Sequence, residues 1–400
     1  MFAQLRPVSS LLVSSLFLFI GGGLTGILLP LRAGLEGWSP LTIGLMGSFY
    51  AAAFLAGCFL MPKLIRRIGH IRVIAVTATL ISMSVLAHSV FVNIPAWFLF
   101  RGIAGFALAG AYTVLESWFN EEATNESRGT VFSAYMLSNS IGLMMGQFLL
   151  VTADPALTTL FIFSAIAYGA AVLPISVMVS SSPQPPTETK IDLKKLFNTS
   201  PVATVGAFIT GITFGAWNIH TPVYGSLIGL SDAAIASLLM ATMLGGMIFQ
   251  FPLGRISDKI DRRYVMLFAT CAGLTASIFF TFLEPRSTVV LFGLMFVFGA
   301  VLLPLYSLAV AHANDHAAEG EFVETSSGLL IVYAVGTMVG PFVAGFLDGY
   351  GRQSRLVYYN DHRLCVSGAV HRIPNYADRC SAKRTAQQFC LHADWSKPNA

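Results

Sequence analysis

Long apolar runs separated by short polar breaks dominate the chain. A helix crossing a bilayer needs roughly 20 mostly apolar residues, because each backbone group must be satisfied within the helix. Runs of that length fall at 9–31, 41–61, 72–93, 95–118, 130–152, 157–179, 201–225, 233–253, 264–283, 288–311 and 326–347, which predicts eleven spans. The run at 9–31 is longer than a signal-peptide core and lacks a clear small-x-small cleavage site, so it reads as a retained first helix. Most breaks are short. The longest, 180–200, holds Pro183, Pro185, Pro186, Lys190, Lys194 and Lys195 and reads as a solvated linker. The expected parts are a bundle over 1–180, a linker over 181–200, a second bundle over 201–351 and an atypical polar tail over 352–400.

The second bundle repeats the first at an offset of 192 residues. Pro30 meets Pro222, Leu35 meets Leu227, Gly37 meets Gly229, Ser39 meets Ser231 and Ile43 meets Ile235. Phe59 and Ile68 likewise meet Phe251 and Ile260, and a basic loop follows the second and eighth spans alike. Two related bundles imply a substrate site between them near the bilayer midplane, reached from either side by rocking.

Composition agrees. Charged residues are 11% of the chain, against about 25% in soluble domains, and apolar residues are 55%. The net charge is +4, but the basic residues sit in loops rather than on a continuous face, so no nucleic-acid partner is expected. With the N-terminus in the cytoplasm, Arg6, Lys63, Arg66, Arg67, Arg72, Arg128, Lys190, Lys194, Lys195, Arg255, Lys259, Arg262 and Arg263 share one side. Arg32 and Arg286 face the other, which places the linker in the cytoplasm by the positive-inside rule. Cys58 and Cys271 lie within spans and read as small hydrophobes; Cys365, Cys380 and Cys390 fit no zinc spacing. No metal or cofactor is expected. Zincin, nucleophile-elbow and Walker patterns are lacking, so no enzyme is expected.

After the eighth span, Gly254, Asp258, Lys259, Asp261, Arg262 and Arg263 resemble the loop motif G-x-x-x-D-R/K-x-G-R-R/K of the major facilitator superfamily, with Asp261 in place of its second glycine. The first-half copy keeps Arg67 and Gly69 but has Pro62 and Arg66 where the family has Gly and Asp. Arg101 and Gly105 resemble the family's R-x-x-x-G pattern in the fourth span. Gly336, Gly340, Pro341 and Gly345 look like its antiporter pattern, placed in the eleventh span rather than the fifth; close helix packing is the preferred reading. The run through Leu115, Glu116, Ser117, Trp118, Arg128, Gly129, Tyr135, Met136, Gly146 and Gln147 is similar to a group of poorly characterised bacterial facilitators that includes YcaD.

The resemblance, over about 9–347, implies an all-α membrane fold of two pseudo-symmetric six-helix bundles and a secondary transporter. It implies a small-molecule substrate, a coupling proton, a multi-pass place in the cell membrane and a monomer. It also implies that Arg101 belongs to a coupling network, and that the 254–263 loop with Arg67 and Glu116 serves as a cytoplasmic latch. The other reading of the loop is a positive-inside anchor. Arg101 reads as functional rather than as an arginine snorkelling to the surface. Glu116 is either a proton carrier or half of an interfacial ion pair with Arg128 or Arg67. Trp217, Asn218 and His220, followed by Pro222, interrupt the seventh span and suggest an irregular segment lining the cavity. His220 either faces the cavity or lies in the headgroup layer. Gln147, Asn139, Gln250, Tyr306 and Tyr333 are further cavity candidates, or simply bond a neighbouring helix. A mostly uncharged cavity favours an amphiphilic or neutral solute and efflux. The rival classes are a non-transporting membrane receptor and an inert truncated product.

A twelfth span is expected near 355–375, yet the chain turns polar after Gly351. One reading is a reading-frame shift near codon 351, leaving the twelfth helix missing or replaced; the rival is a genuine soluble tail after eleven spans.

Overall fold

A computed structural model of the protein describes residues 8–122, 128–178, 192–283, 287–317 and 322–365. Most of the linker and the tail beyond 365 lie outside the described residues, and with them the expectations placed there. The chain divides into two compact units, Met1–Tyr350 and Gly351–Ala400.

The first half runs through α1 (Ser9–Leu35), α2 (Pro40–Ile68), α3 (His70–Val90), α4 (Ile94–Glu122), α5 (Arg128–Phe148), α6 (Thr159–Ala170) and α7 (Val172–Met178). The short α8 (Leu193–Thr199) leads into the second half: α9 (Pro201–Leu227), α10 (Asp232–Ser257), α11 (Arg262–Leu283), α12 (Thr288–Asn314) and α13 (Phe322–Cys365). Each expected span is helical. Ten stretches among the described residues are long and apolar enough to cross a membrane. The ninth span is helical as α11, with some of its side chains outside the described set. The fifth span ends in a 3-10 turn over Leu149–Thr152, and the sixth is divided between α6 and α7 at Ala171.

The seventh span corrects an expectation. Trp217, Asn218 and His220 do not break it: α9 is continuous from Pro201 to Leu227, with Pro222 inside it. A proline removes one backbone donor, whereas a full break would leave several polar groups unsatisfied in hydrocarbon. The helix therefore passes through the proline.

The repeat reappears as identical loop chemistry. At the end of α1, Gly37 has φ +77°, its N–H donates to Gly34 O at 3.0 Å, and Trp38 N–H donates to Ala33 O at 3.1 Å. At the end of α9, Gly229 has φ +79°, with Gly229 N–H to Ser226 O at 3.1 Å and Leu230 N–H to Gly225 O at 3.0 Å. Both are glycine-terminated helix ends, where a Cβ at positive φ would be strained. Two residues on, Ser39 Oγ accepts from Thr42 N–H at 3.1 Å to start α2, and Ser231 Oγ accepts from Ala234 N–H at 3.3 Å to start α10. Ser39→Ala is expected to cost about 1 kcal/mol, read as a lower melting temperature of the detergent-purified protein. Ser231→Ala should cost a similar amount and add to it, since the two caps share no partner.

Within each half, glycines let backbones meet. A Cβ on Gly142 would overlap the Leu16 carbonyl, and one on Gly146 the Ile20 carbonyl, across α5 and α1. In the second half, Gly336 meets the Phe208 carbonyl and Gly340 the Ile212 carbonyl, across α13 and α9. Leu16 and Ile20 pair with Phe208 and Ile212 at the repeat offset, so the seam is duplicated too. The α2–α4 and α10–α12 crossings match in the same way: Gly105 lies on the Tyr50 carbonyl and Gly299 on the Thr242 carbonyl. The Gly336–Gly340 pattern thus works as helix packing, as the sequence suggested.

One core joins the halves. It contains Leu18, Leu24, Ile43 and Trp97 of the first half with Trp217, Ile219, Val223, Ile235 and Leu239 of the second. These second-half residues lie at the ends of α9 and α10 away from the linker. A separate core, with Leu196, Ala203, Ala207, Leu253, Met266, Leu308 and Leu329, fills the linker-side end of the second half.

Candidate functional site

Contacts between the halves gather at the ends opposite the linker. A Cβ on Gly44 would meet the Pro341 carbonyl, one on Gly47 would meet Ile219 and Pro341, and one on Gly345 would meet Pro40. These bring α2 against α9 and α13, and α1 also packs on α9, where Gly26 faces Asn218. Toward the linker side the cores are separate, so no shared core fills the interface there; we term that part of the interface the cleft.

Aromatic side chains cluster on both sides of the interface. From the first half, Tyr112 stacks on Phe19 with ring centroids 5.1 Å apart and meets Phe54 edge-on at 5.8 Å, while Tyr135 packs on Phe119 at 4.6 Å. From the second, Tyr306 packs on Tyr333 at 4.8 Å, Tyr333 on Phe214 at 6.2 Å, and Phe214 on Trp217 at 5.5 Å. Glu116, exposed on α4, lies within electrostatic reach of Cys58, Tyr112 and Tyr135 and, across the cleft, of Tyr306. Among the described spans, Asp232 and Glu324 stand at first positions, whereas Glu116 lies inside its span. Ser117 beside it shares a hydrogen bond with His70 Nε2 at 2.8 Å, which ties α4 to the start of α3. The Arg128 side chain, one of the two cations expected to meet Glu116, is outside the described set; Arg67 is exposed in the last turn of α2.

Arg101 does not snorkel. It is 6% exposed, and its guanidinium lies over the Tyr50 ring at 4.1 Å. An arginine buried inside a span is costly unless something answers its charge. Here it borders a small pocket inside the first half, shared with Thr25, Tyr50, His88 and Tyr168. Thr25 Oγ1 and Tyr168 Oη are 3.0 Å apart. Sequence reasoning missed His88, Tyr50 and Tyr168 as its neighbours. The available signal was His88 near the end of one span, with Arg101 near the start of the next, antiparallel one.

The expected loop site is built around Arg262. Its Nε–H donates to Asp315 Oδ2 at 2.6 Å, and its Nη1 donates to Ser257 Oγ at 2.8 Å and to Asp258 Oδ1 at 3.0 Å. Asp315 first, then Asp258, hold the guanidinium above its ordinary range. These contacts tie the α10–α11 loop to the end of α12, all within the second half. Gly254 lies in the last turn of α10, and Lys259 is exposed.

The other candidates are scattered. Gln147 is buried at the α1–α5 seam, with Oε1 unpartnered, and Trp217 Nε1 is likewise buried and unpartnered. Asn139 hydrogen-bonds Tyr135. His220 Nε2 contacts Pro341 O at 3.0 Å, so it packs on α13 inside its own half. Gln250 is exposed within a run that includes Phe249 and Phe251, also exposed. The structure therefore brings Glu116, Tyr306 and Tyr333 to one cleft and sets Arg101 apart in its own pocket.

A duplicated bundle of membrane-length helices, its halves joined by one core at the end away from the linker, has the architecture of a membrane transporter. Residues 11–341 match the Major Facilitator Superfamily, and the chain belongs to it. It is 25% identical over 366 residues to the uncharacterized MFS-type transporter YcaD of Escherichia fergusonii, covering 90% of this chain and 92% of that one. It is 27% identical to YcaD of Salmonella enteritidis, over 86% and 89% of the two chains. Among solved structures, the fold resembles the nucleoside transporter NupG, with a TM-score of 0.72 at 15% identity over 84% of this chain and 89% of that chain. It also resembles an inward-facing bacterial homolog of the human lysosomal transporter Spinster, with a TM-score of 0.70 at 14% identity over 89% and 85%. At such identities these two show the fold. The protein is a multi-pass membrane transporter.

Proposed function

We propose that the protein is a proton-coupled secondary transporter of the cytoplasmic membrane that exports a small amphiphilic solute, and that Glu116 carries the coupling proton. The observation that carries this reading is Glu116 itself: an acid inside a described span, on a cleft wall that also includes Tyr306 of the opposite half. A carboxylate gains or loses one charge with one proton, and in an apolar cleft that change alters the preference between open and closed states. The aromatic walls suit a solute with apolar surface and a few polar groups. The bias of Lys and Arg favours a cytoplasmic linker side, from which an exported solute would enter.

The test is reconstitution into liposomes with an imposed pH gradient and a panel of amphiphilic solutes. Gradient-driven movement of at least one solute, collapsed by a protonophore, is expected. Transport indifferent to the gradient would exclude proton coupling and leave the alternating-access class standing.

A further inference from the structure

Two like charges meet across the halves at the far end of their interface. The 3-10 turn Leu149–Thr152 packs on α10 of the other half. Its Leu150 shares the joining core with Ile235, Ala236 and Leu239, and Ala153 and Leu230 pack against that core. Asp154 follows Ala153, Asp232 starts α10 two residues after Leu230, and the two carboxylates lie within electrostatic reach of each other. Asp154 Oδ1 accepts from Ala156 N–H at 2.8 Å, which holds its carboxylate at the turn. Among the described residues the nearby cation is Arg32 of α1, and it is engaged elsewhere. Its Nε–H donates to Glu36 Oε1 at 2.8 Å, and its Nη1 donates to the Pro155 and Ala156 carbonyls. His220 of α9 turns to Pro341 O, and Arg286 lies outside the described residues.

The repeat holds the same contact built without charge. At the offset of 192, Asp232 matches Pro40, while Ala153 and Asp154 match Gly345 and Phe346. There a Cβ on Gly345 would meet the Pro40 carbonyl and Leu41, so that copy is close-packed. Of two related contacts across the interface, one therefore carries a pair of carboxylates. Parting the halves at this end separates those charges, and closing it brings them together. One proton on the pair removes the repulsion, so the closed state binds that proton more tightly than the open one. The N-terminus of α10 favours a charged Asp232 in both states and cancels from the comparison. Acid thus favours closure, with the closed fraction rising as pH falls toward the ordinary aspartate range, about 4. We propose that Asp154 and Asp232 form a pH-sensitive gate, which closes the far end of the interface when the pair takes up a proton. It requires that the halves part at this end; it is independent of Glu116 and of whether solute movement is coupled to protons.

The experiment measures nitroxide distances across the far end of the full-length protein in detergent. The labels are carried on p-acetylphenylalanine at Thr158 and Ser287, both exposed and neither making a side-chain capping bond. From about pH 7.5 to about pH 4.5 the ratio of closed to open molecules should rise about two- to tenfold. Asp154→Asn keeps an acceptor for Ala156 and should lose the pH response, already showing at the higher pH the ratio the wild type reaches in acid. Asp232→Asn should do the same. Asp154→Lys turns repulsion into attraction and should invert the response, closing at the higher pH and opening in acid. A wild-type ratio indifferent to pH overturns the gate. So does a wild-type response kept in Asp154→Asn, which places the titrating group elsewhere, or a response of Asp154→Lys in the wild-type direction.

Discussion

Gly146→Leu is expected to leave almost no folded protein. The residue sits where α5 crosses α1, and a Cβ there would meet the Ile20 carbonyl and the Leu24 backbone nitrogen. The obstruction is backbone, which no rotamer change relieves. The same face of α1 approaches α5 again at Gly23, against the Leu143 carbonyl, so neither helix can slide to make room. Overpacking an interior typically costs about 1–3 kcal/mol where side chains can repack; here backbone blocks the site, the two helices would have to separate, and the cost should reach the whole of a typical stability. Total stability is typically about 5–15 kcal/mol, so the loss should show as aggregated material on size-exclusion chromatography in mild detergent. Gly340→Leu, at the matching seam against Ile212, should behave alike. Gly34→Leu is the control, since nothing lies within 4 Å of a Cβ there. Monodisperse Gly146→Leu protein with wild-type melting would show that the seam is not close-packed.

Glu116→Gln is expected to abolish pH-driven accumulation while leaving solute exchange across the vesicle largely intact. The amide keeps the size of the carboxyl and loses only its proton chemistry. If Glu116 carries the proton, the variant should fall to the no-gradient rate, whereas counterflow of labelled against unlabelled solute should change by less than about tenfold. General acid–base groups typically contribute about 10²–10⁴-fold to the steps they serve, so the contrast between the two assays should be unmistakable. Full gradient-driven transport by Glu116→Gln would falsify the assignment. Loss of both activities would instead give Glu116 a part in binding the solute.

Much of the architecture was legible because the signal for a membrane span is long and redundant. The run behind α12 stays apolar enough to survive Pro304 and several polar residues. The duplication was legible from Pro30, Gly37 and Ser39, whose types are demanded by local geometry at a helix end and recur in the second half. The α1–α5 seam was harder to read. Gly146 and Ile20 are far apart in sequence, and their contact appears only once the helices are paired. The seventh span was misjudged because Trp217, Asn218 and His220 beside Pro222 look like the discontinuous helices that line some transporter cavities; the helix instead runs on through Pro222, which spares the exposed backbone that lipid penalises. Glu116 could be named as an odd residue in an apolar stretch, but its aromatic surroundings come from α1, α2, α5 and α12. For the same reason His88 went unnoticed beside Arg101: each is ordinary on its own helix, and only antiparallel packing of α3 on α4 makes them neighbours.

The far end of the cleft is sealed by Trp217, Ile219, Val223, Ile235 and Leu239 and by glycines lying against Pro40 and Pro341. These residues are apolar, while at their rim Asp154 of the first half lies within electrostatic reach of Asp232 of the second. Opening of the apolar plug is a matter of fit, comparable in free energy with one apolar surface exchanging another for lipid or solute. A greasy cargo wedged beneath it can help to push it apart, and the like charges of Asp154 and Asp232 at the rim oppose closure most at low ionic strength.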